Sequence, residues 1–293
     1  MNHWLKAFRL RTLPLAFSSI GMGAILAASH GAFNARVVIL SLLTTVSLQV
    51  LSNLANDYGD SIHGADNVDR VGPSRTVQDG QISMGKMKIA MMFFSVLSLV
   101  LGLLLIFTSC LSVSGIVFFL VLGALAIIAA ILYTNGKLPY GYIGLGDLSV
   151  FLFFGLVGVI GTYYLQAKVL RWDIFLPAIS CGLFTVAVLN INNIRDINSD
   201  QLAGKFSIPV RLGRNRANFY HILLLITAFV CAVAYITMHY SGPKQFILLL
   251  LLPLLYVNAR AISTKSQDQL DSYLRQMAIT NLVFVSIFGI AVM

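Results

Sequence analysis

The sequence predicts an all-α, polytopic membrane protein with nine transmembrane helices, and three observations lead to that prediction. Of its 293 residues, 58% are hydrophobic and 11% are charged, which is more apolar surface than a water-soluble fold can bury. Runs of about 20 apolar residues recur along the chain, the length that a helix needs to cross about 30 Å of hydrocarbon. These runs are continuous and not alternating, which favours helices over a β-barrel. We expect one membrane domain over residues 1–293.

The apolar runs place nine spans in order along the chain. We predict them at about 12–29, 37–55, 88–108, 113–133, 144–166, 173–192, 217–238, 244–259 and 273–293. The basic, aromatic start and the apolar run behind it are typical of a first span and not of a cleaved signal peptide. The fifth span carries five glycines between residues 144 and 161, so we expect it to be bent or closely packed.

The basic residues predict which side of the membrane each loop faces. Nine spans put the two termini on opposite sides, and 16 of the 20 Lys and Arg residues fall in segments on the side of the N-terminus. Because cytoplasmic loops are the basic ones, we predict a cytoplasmic N-terminus and a C-terminus on the opposite side. The expected partners include membrane lipid and exclude nucleic acid.

Two acidic strings at the membrane edge carry the strongest functional signal. They are NLANDYGD at 53–60 and NNIRDINSD at 192–200, and each begins where an apolar run ends. All eleven acidic residues are Asp, and seven of them lie between residues 57 and 79 or in the second string. A carboxylate at the edge of a bilayer needs a partner. Helix capping explains one such cluster more readily than two on the same face, so we expect a shared divalent metal site.

Helical spacing predicts which side chains form that site. In the first string, a common helix face carries Asn53, Asn56 or Asp57, and Asp60. In the second, a common face carries Asn192, Asp196 and Asp200. Two opposed faces can hold Mg²⁺ through one or two carboxylates each, with water and substrate phosphate completing the coordination. The predicted metal ligands are Asn56, Asp57, Asp60, Asp196 and Asp200 of these faces, together with Asp66 and Asp69, which follow the first string outside its helix face.

Basic residues follow each acidic string, as a bound diphosphate requires. The candidates are Arg70, Arg75, Lys205 and Arg211. The positive-inside bias and contact with anionic lipid explain such residues equally well. A third string, YTNGKLPYGYIGLGD at 133–147, fills the remaining inner loop and supplies Tyr133, Lys137 and Asp147. An acid at membrane depth is a functional candidate, although capping of the fifth helix explains Asp147 equally well.

These strings resemble the motifs of the UbiA-type membrane prenyltransferases. That family has nine transmembrane helices and two cytoplasmic Asp-rich motifs, roughly NDxxDxxxD and DxxxD, which bind Mg²⁺ and an isoprenyl diphosphate. The first motif reads NDYGD here, and Gly64 stands where a further acid is expected. Residues 51–73, 141–155 and 192–213 are similar to the bacterial branch that prenylates 1,4-dihydroxy-2-naphthoate. Phe206 and Pro209 depart from that branch, while Lys205 and the Ser207 hydroxyl are kept.

The resemblance implies Mg²⁺-dependent transfer of a polyprenyl group from polyprenyl diphosphate to 1,4-dihydroxy-2-naphthoate, with loss of CO₂, to give demethylmenaquinone. It implies a place in the bacterial cytoplasmic (inner) membrane, with the active site facing the cytoplasm. The predicted catalytic residues are Asp60, Asp196, Lys137 and Tyr133. The predicted substrate-binding residues are Asn53, Arg70, Arg75, Lys205, Arg211, Asn192, Asp147 and Tyr58. Among these, Lys137 and Lys205 are expected to hold diphosphate, and the rings of Tyr133 and Tyr58 to face the allylic cation.

Three alternatives remain open from the sequence. The acceptor can be another aromatic compound, such as 4-hydroxybenzoate or homogentisate. A divalent-cation transporter with Asp gates would need polar residues along a path through the membrane, whereas the acids cluster on one face and spans three, four and seven are nearly devoid of charge. A non-catalytic quinone-binding scaffold would show no Mg²⁺-dependent activity.

Overall fold

The computed structural model describes residues 3–64, 71–72 and 75–293, and within those ranges it contains helices and no β-strand. In the same ranges, nine helical segments are long and apolar enough to cross a membrane. They are α1 (His3–Ser29), α2 (Ala35–His63), α3 (Met84–Thr108), α4 (Val113–Leu132), α5 (Gly146–Ala167), α6 (Phe175–Arg195), α7 (Arg214–Met238), α8 (Pro243–Thr264) and α9 (Gln267–Val292). Two short helices, Ile197–Leu202 and Ile208–Leu212, lie between α6 and α7. The prediction of an all-α chain with nine candidate spans is confirmed.

Local capping explains where several helices begin and end. The Asn34 side chain accepts hydrogen bonds from two backbone N–H groups at the start of α2. Ser83 and Ser112 cap the starts of α3 and α4 in the same way. Gly64, with a φ of 73°, ends α2 in the left-handed conformation that glycine adopts without strain. α2 therefore continues eight residues beyond the predicted boundary at 55 and carries the whole first acidic string.

The glycines of α5 allow close packing against two neighbouring helices, as the sequence predicts. A Cβ atom on Gly155 would lie only 2.8 Å from Cα of Gly182 in α6. The stretch Phe151–Ile160 is wound as a π-helix, a rare and wider form in which hydrogen bonds join residues five apart. The Ser19 hydroxyl of α1 donates to the carbonyl of Phe154 at 2.6 Å, within that stretch.

The bundle is built around α6, which packs against α1, α5, α7 and α9. α2, α3 and α4 pack on one another, and α1 joins the two groups by contacting α2, α5 and α9. The main buried apolar cluster is formed by side chains of α1 and of α5 to α9. α3 and α4 leave large apolar side chains exposed, including Ile89, Phe107 and Val113. Such faces suit contact with lipid, where exposed apolar surface carries no hydration cost.

Candidate active site

A cavity of about 350 Å³ lies between α1, α2, α3, α4, α5 and α6. Its polar end is lined by Arg9, Arg11, Asn53, Asn56, Asp60, Arg75, Tyr133, Asn192 and Lys205. Its apolar part is lined by side chains that include Leu120, Ile127, Ala130, Phe153 and Val157. This division suits a ligand with a charged head and a long apolar tail. Seven of the residues at the polar end are ones that the sequence predicts for the site.

A bend near the start of α1 brings the other two, Arg9 and Arg11, to the polar end. Arg9 has a φ of 49°, so the chain turns there before the helix resumes. The Asn53 amide of α2 donates to the carbonyl of Phe8 at 3.0 Å and to the hydroxyl of Thr12 at 3.3 Å, which holds the bend against α2. From the sequence, Arg9 and Arg11 were expected only to be basic residues of the N-terminal segment. Their position in a basic, aromatic start was the available signal.

The two acids of the first string have different surroundings, although both are buried. The Tyr142 hydroxyl donates to Oδ1 of Asp60 at 2.9 Å, and the Arg75 guanidinium donates to Oδ2 at 3.1 Å. Asp57 instead accepts hydrogen bonds from the backbone N–H and the hydroxyl of Thr76, at 3.2 and 2.5 Å. Asp60 lines the cavity, whereas Asp57 lies outside its lining and binds Thr76 instead.

The glycine of the first string lets the loop after α4 approach α2 closely. A Cβ atom on Gly59 would lie 2.5 Å from the backbone oxygen of Thr134. The Thr134 hydroxyl donates to the carbonyl of Ala55 at 2.9 Å, and the Asn135 amide donates to the same carbonyl at 3.0 Å. This docking places Tyr133, the neighbour of Thr134, at the cavity wall.

The second acidic string is divided by a bend, so the prediction of one continuous helix face is wrong there. α6 ends at Arg195, and a separate short helix begins at Ile197. Asp196, with φ of −98° and ψ of 15°, makes the break. The Asp200 amide still donates to the Asp196 carbonyl at 2.8 Å. The two acids are therefore kept near each other by a turn and not by a continuous helix.

The two strings meet at Lys205. Its Nζ lies 3.2 Å from Oδ1 of Asp200 and 5.9 Å from the centre of the Tyr142 ring. Burial alone would lower the pKa of Lys205, but the carboxylates of Asp200, Asp60 and Asp196 outweigh it and raise that pKa. Burial raises the pKa of Asp200 to about 6; Lys205 opposes the rise, and Asp196 and Asp60 add to it. Three acids from both strings thus act on one another and on one cation.

The donor set suits a hard divalent cation that shares its coordination with other ligands. Within the described part of the chain, Oδ2 of Asp200 is buried without a hydrogen-bond partner, and such an atom needs an explanation such as an ion. Across the same residues, no three carboxylate, thiol or imidazole groups stand close enough to enclose a metal by themselves. Mg²⁺ is commonly held by one or two carboxylates plus water and substrate phosphate. Asp60, Asp196 and Asp200 fit that mode of binding.

A buried arginine that sequence analysis did not single out stands behind Asp196. Arg195 is 1% exposed, and its Nε and Nη2 donate to the two carboxylate oxygens of Asp196 at 2.9 and 2.7 Å. Nη2 also donates to Oδ1 of Asn192 at 2.9 Å, and Nη1 donates to Asp271 of α9 at 2.6 Å. A Cβ atom on Gly72 would lie 2.5 Å from Nη2. Gly72 therefore lies directly against this guanidinium. The position of Arg195 inside the second string was the signal available in the sequence.

Two predicted substrate-binding residues have partners away from the cavity wall. Tyr58 packs in a small apolar cluster, with the Lys88 ammonium 5.5 Å from the centre of its ring. Asp147 is buried and accepts a hydrogen bond from the Tyr220 hydroxyl at 2.9 Å. Neither side chain contributes to the lining of the cavity, so their substrate contacts stay predictions.

The remaining predicted residues, among them Asp57, Asp196 and Asp200, also lie off the cavity wall or outside the described ranges. Arg211 donates to the carbonyls of two loop residues at 3.0 and 2.9 Å. Lys137 is exposed on the loop between α4 and α5. Three predicted residues of the first loop, Asp66, Asp69 and Arg70, lie outside the described residues.

The sequence is similar to a known family and to proteins with assigned names. The sequence profile of the UbiA prenyltransferase family matches residues 16–282. The chain is 45% identical over 287 residues to the 1,4-dihydroxy-2-naphthoate octaprenyltransferase of Escherichia coli (strain K12), covering 96% of this chain and 93% of that protein. It is 43% identical over 296 residues to the protein of the same name from Haemophilus influenzae (strain ATCC 51907 / DSM 11121 / KW20 / Rd), covering 100% and 96%.

The fold is also shared with solved structures. A UbiA homolog from Archaeoglobus fulgidus, bound to DMAPP and Mg²⁺, aligns with a TM-score of 0.64 at 16% identity, covering 99% of this chain and 98% of that one. At that identity the likeness establishes the arrangement of helices and nothing finer. Nine apolar helices in the described ranges make this a multi-pass membrane protein. With its family profile matched over most of the sequence and two full-length relatives at 45% and 43% identity, the chain belongs to the UbiA prenyltransferase family.

Proposed function

We propose that the protein transfers a polyprenyl group from a polyprenyl diphosphate to 1,4-dihydroxy-2-naphthoate, with loss of CO₂, in menaquinone biosynthesis. The shared name of the two full-length relatives supports the naphthoate acceptor. One observation carries the substrate class: asparagines of both strings, Asp60 and Lys205 line the polar end of a cavity that is otherwise mostly apolar, and Asp196 and Asp200 act on that same lysine. A polyprenyl diphosphate has the same division between a charged head and an apolar tail.

In this proposal, the diphosphate lies at the polar end of the cavity. Asp60, Asp196 and Asp200, with the Asn56 amide, are the residues that would hold Mg²⁺. When bound, Mg²⁺ would neutralise the diphosphate and stabilise the charge that develops as it leaves. Arg75 and Lys205 are both paired with these acids, at 3.1 and 3.2 Å.

The two cations have a further role beside the acids. Arg75 and Lys205 lie on the cavity wall, where they can donate to phosphate oxygens that the metal does not reach. The same pairing holds the carboxylates of Asp60 and Asp200 in place through charge-assisted hydrogen bonds.

Bond changes in the proposed reaction balance without a redox step. The C1–O bond of the donor breaks, and its electron pair leaves with the diphosphate. The electron-rich naphthoate ring forms the new bond to C1, and loss of CO₂ returns an electron pair to the ring, which gives the reduced form of demethylmenaquinone. Tyr133 lies at the wall, where a ring face stabilises a nearby allylic cation. The apolar walls hold the tail and keep water from that cation.

We further propose that the polar end of the cavity faces the cytoplasm and that the membrane is the bacterial inner membrane. The concentration of Lys and Arg on the N-terminal side of the predicted topology supports this orientation. Arg9 and Arg11 of the N-terminal segment lie at the same end of the bundle as Asp60. Labelling of a cysteine added at the C-terminus tests the proposal in sealed vesicles. A reagent that cannot cross the membrane should reach this cysteine only from the side opposite to the cytoplasmic one.

The acceptor is tested with purified protein, a radiolabelled polyprenyl diphosphate, Mg²⁺ and one aromatic acceptor at a time. We expect a labelled, extractable product with 1,4-dihydroxy-2-naphthoate and loss of that product when EDTA is added. Product with 4-hydroxybenzoate or homogentisate instead would contradict the acceptor, and donor binding without any product would support the scaffold alternative.

The same assay on two variants tests whether turnover depends on the proposed site. Asp60→Asn should abolish turnover because it removes a carboxylate from the cavity wall. Asp268→Asn is the matched control, since Asp268 lies in the exposed first turn of α9. Equal loss in both variants would point to general destabilisation and not to the proposed site.

A further inference from the structure

One acid outside both strings, Asp271 near the start of α9, binds three arginines. Nη1 of Arg11 donates to both of its carboxylate oxygens, at 2.8 and 3.0 Å. Nη1 of Arg195 donates to Oδ1 at 2.6 Å, and Nη2 of Arg275 donates to Oδ2 at 3.2 Å. A single carboxylate, 24% exposed, thus lies between three guanidinium groups.

Two of those arginines also contact the proposed active site. Arg11 lines the polar end of the cavity. Arg195 holds both carboxylate oxygens of Asp196, one of the proposed metal ligands. A continuous chain of charge-assisted hydrogen bonds therefore runs from the cavity wall through Asp271 to the second acidic string. Such bonds are stronger and more directional than those between neutral groups.

The charge of Asp271 decides how strongly Arg195 holds Asp196. Arg195 is almost wholly buried, its guanidinium cannot lose its proton, and a buried charge without a counter-ion is costly. With Asp271 neutral, the positive charge of Arg195 would be balanced chiefly by Asp196. A divalent cation needs the same carboxylate oxygens, so a tighter pair between Arg195 and Asp196 would compete with metal binding.

The same carboxylate also separates two like charges. Arg11 and Arg195 both bind Oδ1 of Asp271, at 2.8 and 2.6 Å. Without the negative charge between them the two guanidinium groups would repel each other, and Arg11 is the more exposed of the two. Arg11 would therefore move from its position at the wall.

We propose that Asp271 is a positioning residue of the active site, which balances Arg195 so that Asp196 can bind a divalent cation and which holds Arg11 toward the anionic substrates. The proposal rests on the proposed role of the second acidic string as a metal site. Asp271 itself lies outside both motifs and acts through the two arginines.

The test compares Asp271→Asn with Asp271→Glu and with the control Asp268→Asn, all in the purified full-length protein. Mn²⁺ binding is followed by the electron paramagnetic resonance signal of the free ion, in the presence of inorganic pyrophosphate. We expect Asp271→Asn to weaken Mn²⁺ binding by about tenfold, the scale of one lost charge-assisted hydrogen bond. Asp271→Glu keeps the charge and should bind Mn²⁺ more tightly than Asp271→Asn, while Asp268→Asn should match the wild type.

Steady-state kinetics give a second readout. The acceptor KM would stay at the wild-type value if Asp271 had only a structural role. At saturating metal, Asp271→Asn should raise the KM for the acceptor several-fold and leave kcat much less affected. The double variant Asp271→Asn/Arg195→Gln should recover Mn²⁺ affinity relative to Asp271→Asn, because the competing cation is gone. If Asp271→Asn does not fold, Arg11→Gln replaces it and should raise the acceptor KM without weakening Mn²⁺ binding.

Several outcomes would overturn the proposal. In one such outcome, Asp271→Asn keeps the wild-type Mn²⁺ affinity and acceptor KM but has a lowered melting temperature. Asp271 would then only stabilise the packing of α1 against α9. An unchanged acceptor KM in Arg11→Gln would remove Arg11 from the scheme. No Mn²⁺ binding by the wild type would overturn the proposed metal site together with this proposal, whereas a different acceptor would leave the Mn²⁺ titration unaffected.

Discussion

Replacing Lys205 by Met removes the cation that the two acidic strings share. Its Nζ is 3.2 Å from Asp200 and its side chain is 10% exposed, so carboxylates and not water balance the charge. Methionine keeps an unbranched, flexible side chain of similar reach, so we expect the fold to persist. Asp200 loses the group that opposes its raised pKa of about 6. That pKa should rise further, and less of the carboxylate will be ionised at neutral pH.

The magnitude follows from the contact that Lys205 is proposed to make with the donor. A hydrogen bond to a charged group contributes about 1.5–3 kcal/mol, and about 1.4 kcal/mol corresponds to a factor of ten in affinity. We therefore expect the KM for polyprenyl diphosphate to rise by about one to two orders of magnitude. The Mg²⁺ concentration that gives half-maximal rate should rise as well, because a proton then competes with the metal for the Asp200 carboxylate.

Initial rates with a labelled donor, measured over a range of donor and Mg²⁺ concentrations, check this expectation. Lys86→Met is the matched control, since Lys86 is an exposed lysine in the first turn of α3. It removes the same charge away from the cavity wall and should leave both parameters near wild type. A donor KM that stays at the wild-type value in Lys205→Met would refute the placement of the diphosphate against this residue.

Three further predictions concern the loop, the acids and the tail. Gly59→Ala places a Cβ atom 2.5 Å from the backbone oxygen of Thr134 and should destabilise the protein by about 1–3 kcal/mol in thermal unfolding; Gly85→Ala, whose new Cβ meets nothing within 4 Å, should not. Divalent metal affinity should fall as pH decreases through about 6, because burial raises the pKa of Asp200 to that value and its protonated form binds no metal; a pH-independent affinity between 5 and 8 would contradict this assignment. Gly123→Phe puts a ring into the apolar part of the cavity and should reduce kcat/KM for long donors more than for short ones; an equal loss for both lengths would argue against a tail in that part.

The helical architecture was predictable because bilayer thickness sets the length of each apolar run. The ends of the helices were less predictable where polar residues continue a helix beyond its apolar run. The second span was predicted to end at 55, where the apolar run stops, yet α2 runs on to His63 and ends only where Gly64 adopts a left-handed conformation. The bend at Asp196 was not predicted, because a spacing of four residues between two acids is equally compatible with a helix and with a turn.

The residues of the active site were predictable where they belong to one sequence string. Contacts between residues that are distant in the sequence were not predictable. Asp60, Asn192 and Lys205 belong to recognisable motifs, and all three line the cavity. Tyr142 was unremarkable in its loop, although its hydroxyl bonds to Asp60 at 2.9 Å. Asp271 stands 76 residues from Arg195, and only the packing of α9 against α6 brings the two together.

The most direct test of the central claim is a structure of the protein with Mn²⁺ and a thio analogue of the polyprenyl diphosphate that resists cleavage. We predict anomalous Mn²⁺ peaks in coordination with Asp60 on one side and with Asp196 or Asp200 on the other. The diphosphate should lie against Lys205, with the tail in the apolar part of the cavity. Mn²⁺ peaks that touch neither acidic string, or a diphosphate bound at the other end of the bundle, would contradict the proposal that the two strings form one metal–diphosphate site.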